Sequence, residues 1–245
     1  MSDRFEESVN VSSLQTYPKS EIRHPIHSHS MRIEGGYWLG QVLQAPNSNA
    51  TRPTDGRTRE MLFNSLGEFI VEARVLDLYA GSGAVGLEAL SRGAAHCTFV
   101  ELEHSAIRAL RANVKKLRAE GLTQIWAANA RTAPQKLADD GVKFDFIFAD
   151  PPFAKPDEGA EIARRLDALP ILLNNERVET RENEDETQHT ETHTPANVRS
   201  HRDGLIVVQH SRRVELPPLE HFDITRTKRA GESVLTFLRA KTLAD

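Results

Sequence analysis

Residues 77–86 read DLYAGSGAVG and contain GSGAVG (81–86), a formal match to the G-x-G-x-x-G pattern of nucleotide-binding turns. The segment before it, RVLDLY (74–79), is predicted to be a strand, and AVGLEALSRG (84–93) is predicted to be a helix that ends at Gly93. Glycines at such a turn let the backbone approach a ligand closely. The stretch therefore predicts a strand–turn–helix unit that holds either a dinucleotide or S-adenosylmethionine (SAM).

The same alternation continues on the C-terminal side of this unit. Strands are predicted at 96–102, 123–129 and 144–150, and helices at 104–120, 131–140 and 157–169. Three more strands follow at 204–210, 221–230 and 233–240, and the last two are separated only by Gly231-Glu232, a hairpin spacing. The chain is therefore predicted to be an α/β protein with a Rossmann-like, mostly parallel seven-stranded sheet that ends in an antiparallel hairpin.

Three segments differ from this pattern. Residues 1–30 lack apolar periodicity and are predicted to be a disordered extension, and residues 174–203 are predicted to be a disordered acidic insertion. Residues 31–70 are predicted to form a small hairpin (MRIEGGYWLGQVL) and a helix with Met61, Leu62, Leu66 and Phe69 on one face. Residues 71–245, which include this insertion, are predicted to form the main α/β domain.

Composition limits the classes of protein. The 245 residues are 39% hydrophobic, and no apolar run approaches the roughly 20 residues of a membrane span. The single cysteine, Cys97, excludes an internal disulfide and a multi-cysteine zinc site. We expect the polar N-terminal segment not to act as a secretory signal. We expect a cytoplasmic monomer without a metal. The net charge is −4, but basic clusters at 51–60 and 211–231 are compatible with nucleic acid.

Glu101, at the end of the second strand, can accept hydrogen bonds from the ribose hydroxyls of either SAM or NAD. Three other features favour SAM over NAD. Asp77 lies within the first strand, where its carboxylate can face the ammonium group of an amino-acid ligand, which NAD lacks. The sheet ends in a hairpin rather than a further strand–helix–strand unit. The strongest feature is FADPPF (148–153), which ends the fourth strand.

The D-P-P-F element has a mechanical interpretation. An exocyclic amine on a base is a poor nucleophile, because its lone pair is delocalised into the ring. The Asp150 carboxylate and the Pro151 carbonyl can accept its two N–H bonds and hold the nitrogen in line with a methyl sulfonium. Pro151 and Pro152 stiffen the loop, and Phe153 offers a ring on which a base can stack.

The segments MRIEGGYWLGQVLQAP, RPTDGRTREMLFNSL, VLDLYAGSGAVGLEALSRGAAHCTFVELE and FDFIFADPPF together resemble the RsmD family of 16S ribosomal RNA (guanine-N2) methyltransferases. The resemblance covers residues 31–170 well and 204–240 loosely. It implies a class I SAM-dependent methyltransferase that acts on a guanine N2 amine in 16S rRNA or in the assembling 30S subunit. It also implies that the N-terminal element helps to hold the RNA.

The predicted sites follow from the motifs and the resemblance together. The predicted SAM-binding residues are Asp77, Tyr79, Gly81, Ser82, Gly83, Glu101, Leu102, Asn129 and Ala130. The predicted catalytic residues are Asp150, Pro151, Pro152 and Phe153, and the predicted RNA-binding residues are Arg32, Arg52, Arg57 and Arg59. Family hairpins usually carry basic residues where this chain has Tyr37, Leu39 and Gln41, which predicts weaker phosphate contact and a flatter salt dependence.

Alternatives stay open at this stage. D-P-P-F alone is compatible with methylation of adenine N6 or of a protein glutamine, although the N-terminal element disfavours both. A nicotinamide-dependent oxidoreductase would need a hydride-transfer acid or base that no motif supplies. A non-catalytic RNA-binding protein of this fold is disfavoured by the intact motifs. Arg212, Arg213, Arg226, Lys228 and Arg229 form either a second RNA face or a solvated edge, and Met31 is a candidate translation start.

Overall fold

The structure is a computed structural model, and it describes residues 31–46, 56–152, 155, 157–172 and 203–241. The predictions of disorder for residues 1–30 and 174–202 lie outside the described residues, as do the predicted roles of Arg52 and Phe153.

The centre of the protein is one seven-stranded sheet. Its strands are β1 (Arg74–Leu78), β2 (His96–Glu101), β3 (Thr123–Ala127), β4 (Phe146–Ala149), β5 (Leu205–Ser211), β6 (Phe222–Ala230) and β7 (Ser233–Ala240). Their order in the sheet is β3-β2-β1-β4-β5-β7-β6. The first five strands pair in parallel, whereas β7 runs antiparallel to both β5 and β6. The predicted mostly parallel sheet with a C-terminal antiparallel hairpin is confirmed.

In the part of the chain that the structure describes, five α-helices cover the two faces of the sheet. They are α1 (Gly56–Leu66), α2 (Ala84–Ser91), α3 (His104–Leu117), α4 (Ala133–Asp139) and α5 (Glu158–Asp167). Helix α3 ends three residues before the predicted end, because Arg118 adopts a left-handed conformation with φ of 55° and closes the last turn. Its start is fixed by the Glu103 side chain, which accepts hydrogen bonds from the backbone N–H groups of Ser105 and Ala106.

Each face of the sheet has its own hydrophobic core. Helices α1, α2 and α3 pack on one face, where Phe99, Phe148 and Phe237 are buried with apolar residues of these helices. Helices α4 and α5 pack on the other face, over Leu76, Ile147 and Ile206. The two faces are called the α1–α3 face and the α4–α5 face below. Among the described residues, no helix has both the length and the hydropathy needed to cross a membrane.

The N-terminal segment folds back on itself as a short hairpin on the α1–α3 face. Arg32 and Val42 form an isolated antiparallel bridge, and the N–H of Leu43 donates to the Met31 carbonyl at 2.7 Å. The hairpin is attached to α2 through Ser91, whose hydroxyl donates to the Gly35 carbonyl at 2.6 Å. It is attached to α3 through Asn113, which exchanges two hydrogen bonds with the backbone of Gln44.

The strand order reverses between β1 and β4. The chain moves outward from β1 through β2 to β3, then returns to pair β4 on the other side of β1. Loops that leave such a point diverge, so a crevice opens at the carboxyl ends of these two strands. The glycine turn follows β1 and the D-P-P-F element follows β4, so the fold brings both motifs to this crevice.

Candidate functional site

The glycine turn between β1 and α2 uses its glycines for different reasons. Gly81 has φ of 57° and no atom within 4 Å of the position of a Cβ, so its backbone faces open space. Gly86 lies inside α2, and a Cβ there would meet the ring of Phe99 at 2.3 Å and the sulfur of Cys97 at 2.5 Å. The first glycine therefore leaves room for a ligand, and the last allows α2 to pack closely on β2.

The carboxylate of Glu101, at the end of β2, holds the turn in place. Its Oε2 accepts a hydrogen bond of 2.7 Å from the Gly81 N–H, and its Oε1 accepts bonds of 2.8 Å from the N–H groups of Leu102 and Glu103. A carboxylate has about four lone-pair sites. Glu101 therefore orders the loop and retains one acceptor site for a hydroxyl of a ligand.

A cavity of about 210 Å³ lies at the carboxyl edge of β1, β2 and β3. Its wall is formed by Tyr79, Val100, Glu101, Leu102, Ala128, Asn129, Ala130, Arg131, Pro152, Lys155 and Glu158. The wall thus combines an acidic acceptor at Glu101 with apolar side chains such as Leu102 and Ala130. This combination of an acceptor and apolar side chains fits a nucleoside, with the carboxylate toward the ribose hydroxyls and the apolar side chains toward the base. Five of the predicted SAM-binding residues line this cavity: Tyr79, Glu101, Leu102, Asn129 and Ala130.

A hydrogen-bonded network of Tyr79, Glu158 and Arg131 closes one side of the cavity. The Tyr79 hydroxyl donates to Glu158 Oε1 at 2.7 Å, and Arg131 pairs with both oxygens of the same carboxylate. Arg131 and Tyr79 together hold the pKa of Glu158 below its usual range, and burial and Glu158 raise the pKa of Tyr79. Tyr79 has φ of 61°, an uncommon backbone conformation for a tyrosine. The network joins the end of β1, the loop after β3 and the first residue of α5.

Asp77 lies beneath the turn rather than on the cavity wall. Its side chain is 2% exposed, and its carboxylate accepts a hydrogen bond of 2.9 Å from the N–H of Gly86, in the first turn of α2. Burial, with smaller contributions from the negative charges of Asp150 and Glu101, raises the pKa of Asp77 to about 8. Near neutral pH the ligand-free protein therefore holds a proton on Asp77.

The Asp77→Asn variant is expected to be more stable than the wild type at high pH. From the ordinary value of 3.8 to about 8, the folded protein keeps a proton that the unfolded chain has released. Wild-type stability therefore falls as pH rises through this window, whereas asparagine does not titrate. We expect a gain of about 1–2 kcal/mol at pH 8.5, roughly 2–8 °C in Tm, and little difference at pH 4. Thermal unfolding followed by circular dichroism at both pH values measures it, and a gain that is equal at both would contradict the assignment.

The D-P-P-F element lies at the carboxyl end of β4, beside the end of β1. The Asp150 N–H donates to the Leu78 carbonyl at 3.4 Å, which places the residue at the edge of the sheet. Asp150 and Pro152 are half-buried, Pro151 is buried, and Pro152 lines the 210 Å³ cavity. The structure thus brings Asp150 close enough to Asp77 to influence its pKa. Asp77 and Asp150, 73 residues apart in the sequence, thus bring the two motifs side by side at the carboxyl edge of the sheet.

Ser82 and Gly83 form the part of the turn that faces the protein. Ser82 is buried, and its hydroxyl lies 3.6 Å from the sulfur of Met31 in the N-terminal hairpin. Gly83 precedes α2 with φ of 83°, and a Cβ there would meet Leu110 at 2.4 Å. Both residues shape the turn from below, and neither lines the cavity.

The predicted RNA-binding arginines divide into two groups. Arg32 and Arg57 are exposed. Arg59 differs from the prediction: its side chain is 2% exposed, its Nε lies 3.4 Å from Glu88, and its Nη2 donates to the Arg32 carbonyl at 2.9 Å. Glu88 is itself fully buried in α2. Arg59 therefore ties α1 and the N-terminal hairpin to α2, and its predicted contact with RNA stays a prediction that this burial does not favour.

Three other features of the described residues lie apart from both motifs or lack a ligand set. A second cavity of about 310 Å³ lies between α1 and the β6–β7 hairpin, and it shares no residue with either motif. No group of three or more histidine, cysteine or acidic side chains within the described ranges is arranged to hold a metal ion. Cys97 is buried against Gly86, and burial raises the pKa of its thiol.

Glu158 and Arg131 belong to no motif of the sequence. Glu158 begins α5, and its partners are 27 and 79 residues away in the chain. No local pattern marks such a pair, because the contact exists only once α5 has packed on the sheet. The one feature of the sequence that could have indicated them is their place in the chain, because Glu158 follows the D-P-P-F loop and Arg131 follows β3.

The family model described as "Conserved hypothetical protein 95" matches residues 31–204 of the chain. The chain is 35% identical over 187 residues to "Putative rRNA methyltransferase YlbH" of Bacillus subtilis, a match that covers 76% of this chain and 86% of that protein. It is 43% identical over 136 residues to "Ribosomal RNA small subunit methyltransferase D" of Escherichia coli, covering 55% of this chain and 67% of that protein.

Among solved structures, the fold is similar to that of "Putative methyltransferase yhhF from Escherichia coli", with a TM-score of 0.65 and 28% sequence identity. The superposition covers 86% of this chain and 98% of the other. The matched region of the family model contains both the glycine turn and the D-P-P-F element.

Proposed function

The chain belongs to the family of conserved hypothetical protein 95, the RsmD family, and on this premise we propose that it transfers a methyl group from SAM to the exocyclic N2 amine of a guanine in 16S rRNA. The observation that carries the proposal is the position of Asp150-Pro151 beside the nucleoside-sized cavity, at the point where the strand order reverses. The names of the two relatives, both rRNA methyltransferases, support the choice of RNA as substrate.

The cofactor-binding half of the site is proposed to lie along β1, β2 and β3. SAM, when bound, supplies an electrophilic methyl group on a sulfonium. Glu101 accepts a ribose hydroxyl with its remaining acceptor site, and the wall at Leu102, Asn129 and Ala130 encloses the base. Gly81 provides the open backbone surface. Asp77 attracts the ammonium group from beneath the turn, and a cation at that position would lower the pKa of Asp77 and release its proton.

The amine-orienting half of the site is proposed to lie at the end of β4. The Asp150 carboxylate and the Pro151 carbonyl accept the two N–H bonds of the amine, so that the nitrogen lone pair points toward the methyl group. The N–C bond would then form as the C–S bond breaks, with S-adenosylhomocysteine as the leaving group, and the amine proton would pass to water after transfer. Pro151 and Pro152 hold the two acceptors in place without rearrangement. Phe153 is proposed to stack on the base.

The Tyr79–Glu158–Arg131 network is proposed to position the loop between β4 and α5. Glu158 follows this loop, and its carboxylate is 4% exposed and bonded to residues at the ends of two other elements. The downstream end of the D-P-P-F loop is therefore attached to the wall of the cofactor cavity. This attachment fixes the distance between the bound nucleoside and the amine.

The RNA-binding surface is proposed to include the exposed Arg32 and Arg57, together with Arg52. Tyr37 and Leu39 of the hairpin are 67% and 66% exposed, and neither can neutralise a phosphate. Because fewer phosphates are neutralised, we propose that RNA affinity depends less steeply on salt than in relatives with a basic hairpin.

The experiment that tests the function is transfer of a radiolabelled methyl group from SAM to unmodified 30S subunits, with naked 16S rRNA and DNA in parallel, followed by nucleoside analysis. We expect the label as N2-methylguanosine from one of the two RNA substrates and none from DNA. Label recovered in adenine would support SAM binding by the site but exclude guanine as the methylated base. The absence of label, with SAM binding shown by calorimetry, would exclude all three substrates.

A further inference from the structure

Gln209, near the end of β5, carries a buried amide that no motif predicted. Its side chain is 5% exposed, and its Oε1 has no hydrogen-bond partner among the described residues. Buried polar atoms in folded proteins are almost always paired, because an unpaired acceptor has lost its hydration without replacement. A buried acceptor kept without a partner at the edge of a ligand crevice indicates that the ligand supplies the donor.

The strand register places Gln209 beside Asp150. The last paired residues of β4 and β5 are Ala149 and Val208, so Asp150 and Gln209 follow at the same level on neighbouring strands. Adjacent strands lie about 4.8 Å apart. The amide is therefore one strand away from the carboxylate proposed to hold the amine.

The alternation of side chains places Gln209 and Asp77 on the same face. Leu205 and Val207 belong to the core of the α1–α3 face, whereas Ile206 and Val208 belong to that of the α4–α5 face. His210 continues the alternation toward α5, because its Cβ lies 3.1 Å from where a Cβ of Gly159 would be. Gln209 therefore points toward the α1–α3 face.

Asp150 follows the same alternation. Phe148 lies in the core of the α1–α3 face and Ala149 in that of the α4–α5 face, so the next residue points toward the α1–α3 face. The electrostatic influence of Asp150 on Asp77, which lies between Leu76 and Leu78 of the opposite core, agrees with this direction. Asp150 and Gln209 thus share one edge and one face on neighbouring strands, and Asp77 lies on the same face of β1, level with Phe148 and two residues further from the edge.

We propose that Gln209 determines the base specificity of the site by reading the Watson–Crick edge of the target guanine. This inference rests on the proposed function. The edge of guanine carries two neighbouring donors, N1–H and the N2 amine, and a flipped base is read along this edge. Gln209 Oε1 accepts the N1–H while Asp150 accepts from the amine. Adenine presents an acceptor at N1, which would face the amide oxygen and be rejected.

The test compares two bases that differ at this contact. The methylated nucleotide is first mapped with unmodified 30S subunits. Subunits are then reconstituted with guanine or 2-aminopurine at that position. 2-Aminopurine keeps the exocyclic amine but lacks the N1–H and the O6 carbonyl, so the part of the preference that depends on Gln209 is measured with a variant of that residue. We expect the wild type to methylate guanine about 10- to 100-fold faster than 2-aminopurine, since a site built to pair a donor rejects the analogue that lacks it.

The Gln209→Leu variant removes the acceptor and keeps the apolar volume. We expect the guanine to 2-aminopurine ratio to fall to within about threefold of one, with unchanged affinity for SAM and an unchanged or higher Tm. Gln209→Glu retains an acceptor and is expected to retain the preference for guanine. Gln124→Leu, at an exposed position on β3, is the matched control and is expected to behave as the wild type.

The outcomes separate this inference from the proposed function. A ratio that stays at the wild-type value in Gln209→Leu overturns the role of Gln209 and leaves the function intact. Failure of the wild type to label any guanine N2 overturns the function, and the role of Gln209 with it. A loss of SAM binding or a lower Tm in Gln209→Leu would assign the amide a structural role and likewise overturn the inference.

Discussion

Replacing Asp150 with alanine is expected to lower the rate of methyl transfer by about 100- to 1,000-fold, while the affinity for SAM stays within about threefold of the wild type. In the proposed function the carboxylate acts on the amine and not on the cofactor, since it follows β4 and does not line the nucleoside-sized cavity. Without it, the amine loses one of two acceptors and the lone pair is no longer held toward the methyl group. The proton leaves after transfer, so the effect comes from lost orientation rather than from a lost base.

Single-turnover rates with saturating SAM and unmodified 30S subunits measure this effect, and calorimetry measures SAM affinity separately. Asp157→Asn is the matched control, because Asp157 lies seven residues further along, is exposed and makes no side-chain bond to the start of α5. Asp150→Asn adds a sharper comparison: it keeps one oxygen acceptor and is expected to retain more activity than alanine. An Asp150→Ala enzyme that works at the wild-type rate would remove this residue from the mechanism.

Replacing Arg59 with methionine is expected to destabilise the protein by about 3 kcal/mol, the lower end of the range for breaking a buried ion pair. The change leaves the fully buried Glu88 without one of its two cations. Arg92 still pairs with Glu88 at 2.7 Å, which is why we expect the lower end. The lost bond to the Arg32 carbonyl also detaches the hairpin from α1.

Urea unfolding followed by fluorescence measures the change in the free energy of unfolding. Arg59→Met combined with Glu88→Leu removes both charges and is expected to recover most of the loss, because no uncompensated carboxylate remains. Arg57→Met, two residues earlier and exposed, is expected to change stability by no more than about 0.5 kcal/mol. A direct RNA contact by Arg59 would instead leave stability unchanged and weaken RNA binding.

Local patterns in the sequence were sufficient for most of the fold. The predicted bounds of the strand at 74–79 and of the helix at 84–93 agree with the observed bounds to within one or two residues. They agree because the hydrophobic periodicity and the glycine positions that predict them act over a single turn or strand. The antiparallel ending followed from the two-residue spacing at Gly231-Glu232. The crevice followed as well, since parallel strands place their carboxyl ends at one edge, and D-P-P-F ends one of them.

The candidate site residues also fall into two groups: those that the sequence pattern could place and those that only the packing revealed. The sequence by itself determined that Glu101 and Asp150 reach one edge, because each ends a strand of the same parallel sheet. Only the tertiary structure decided that Arg59 is buried against Glu88 and that Glu158 bonds Tyr79 and Arg131. It also decided that the Gln209 Oε1, one strand from Asp150, has no hydrogen-bond partner among the described residues. An arginine near a predicted binding surface has the same local pattern whether it is exposed or buried. The difference depends on which helices pack over it, and that packing joins residues 27 to 79 positions apart.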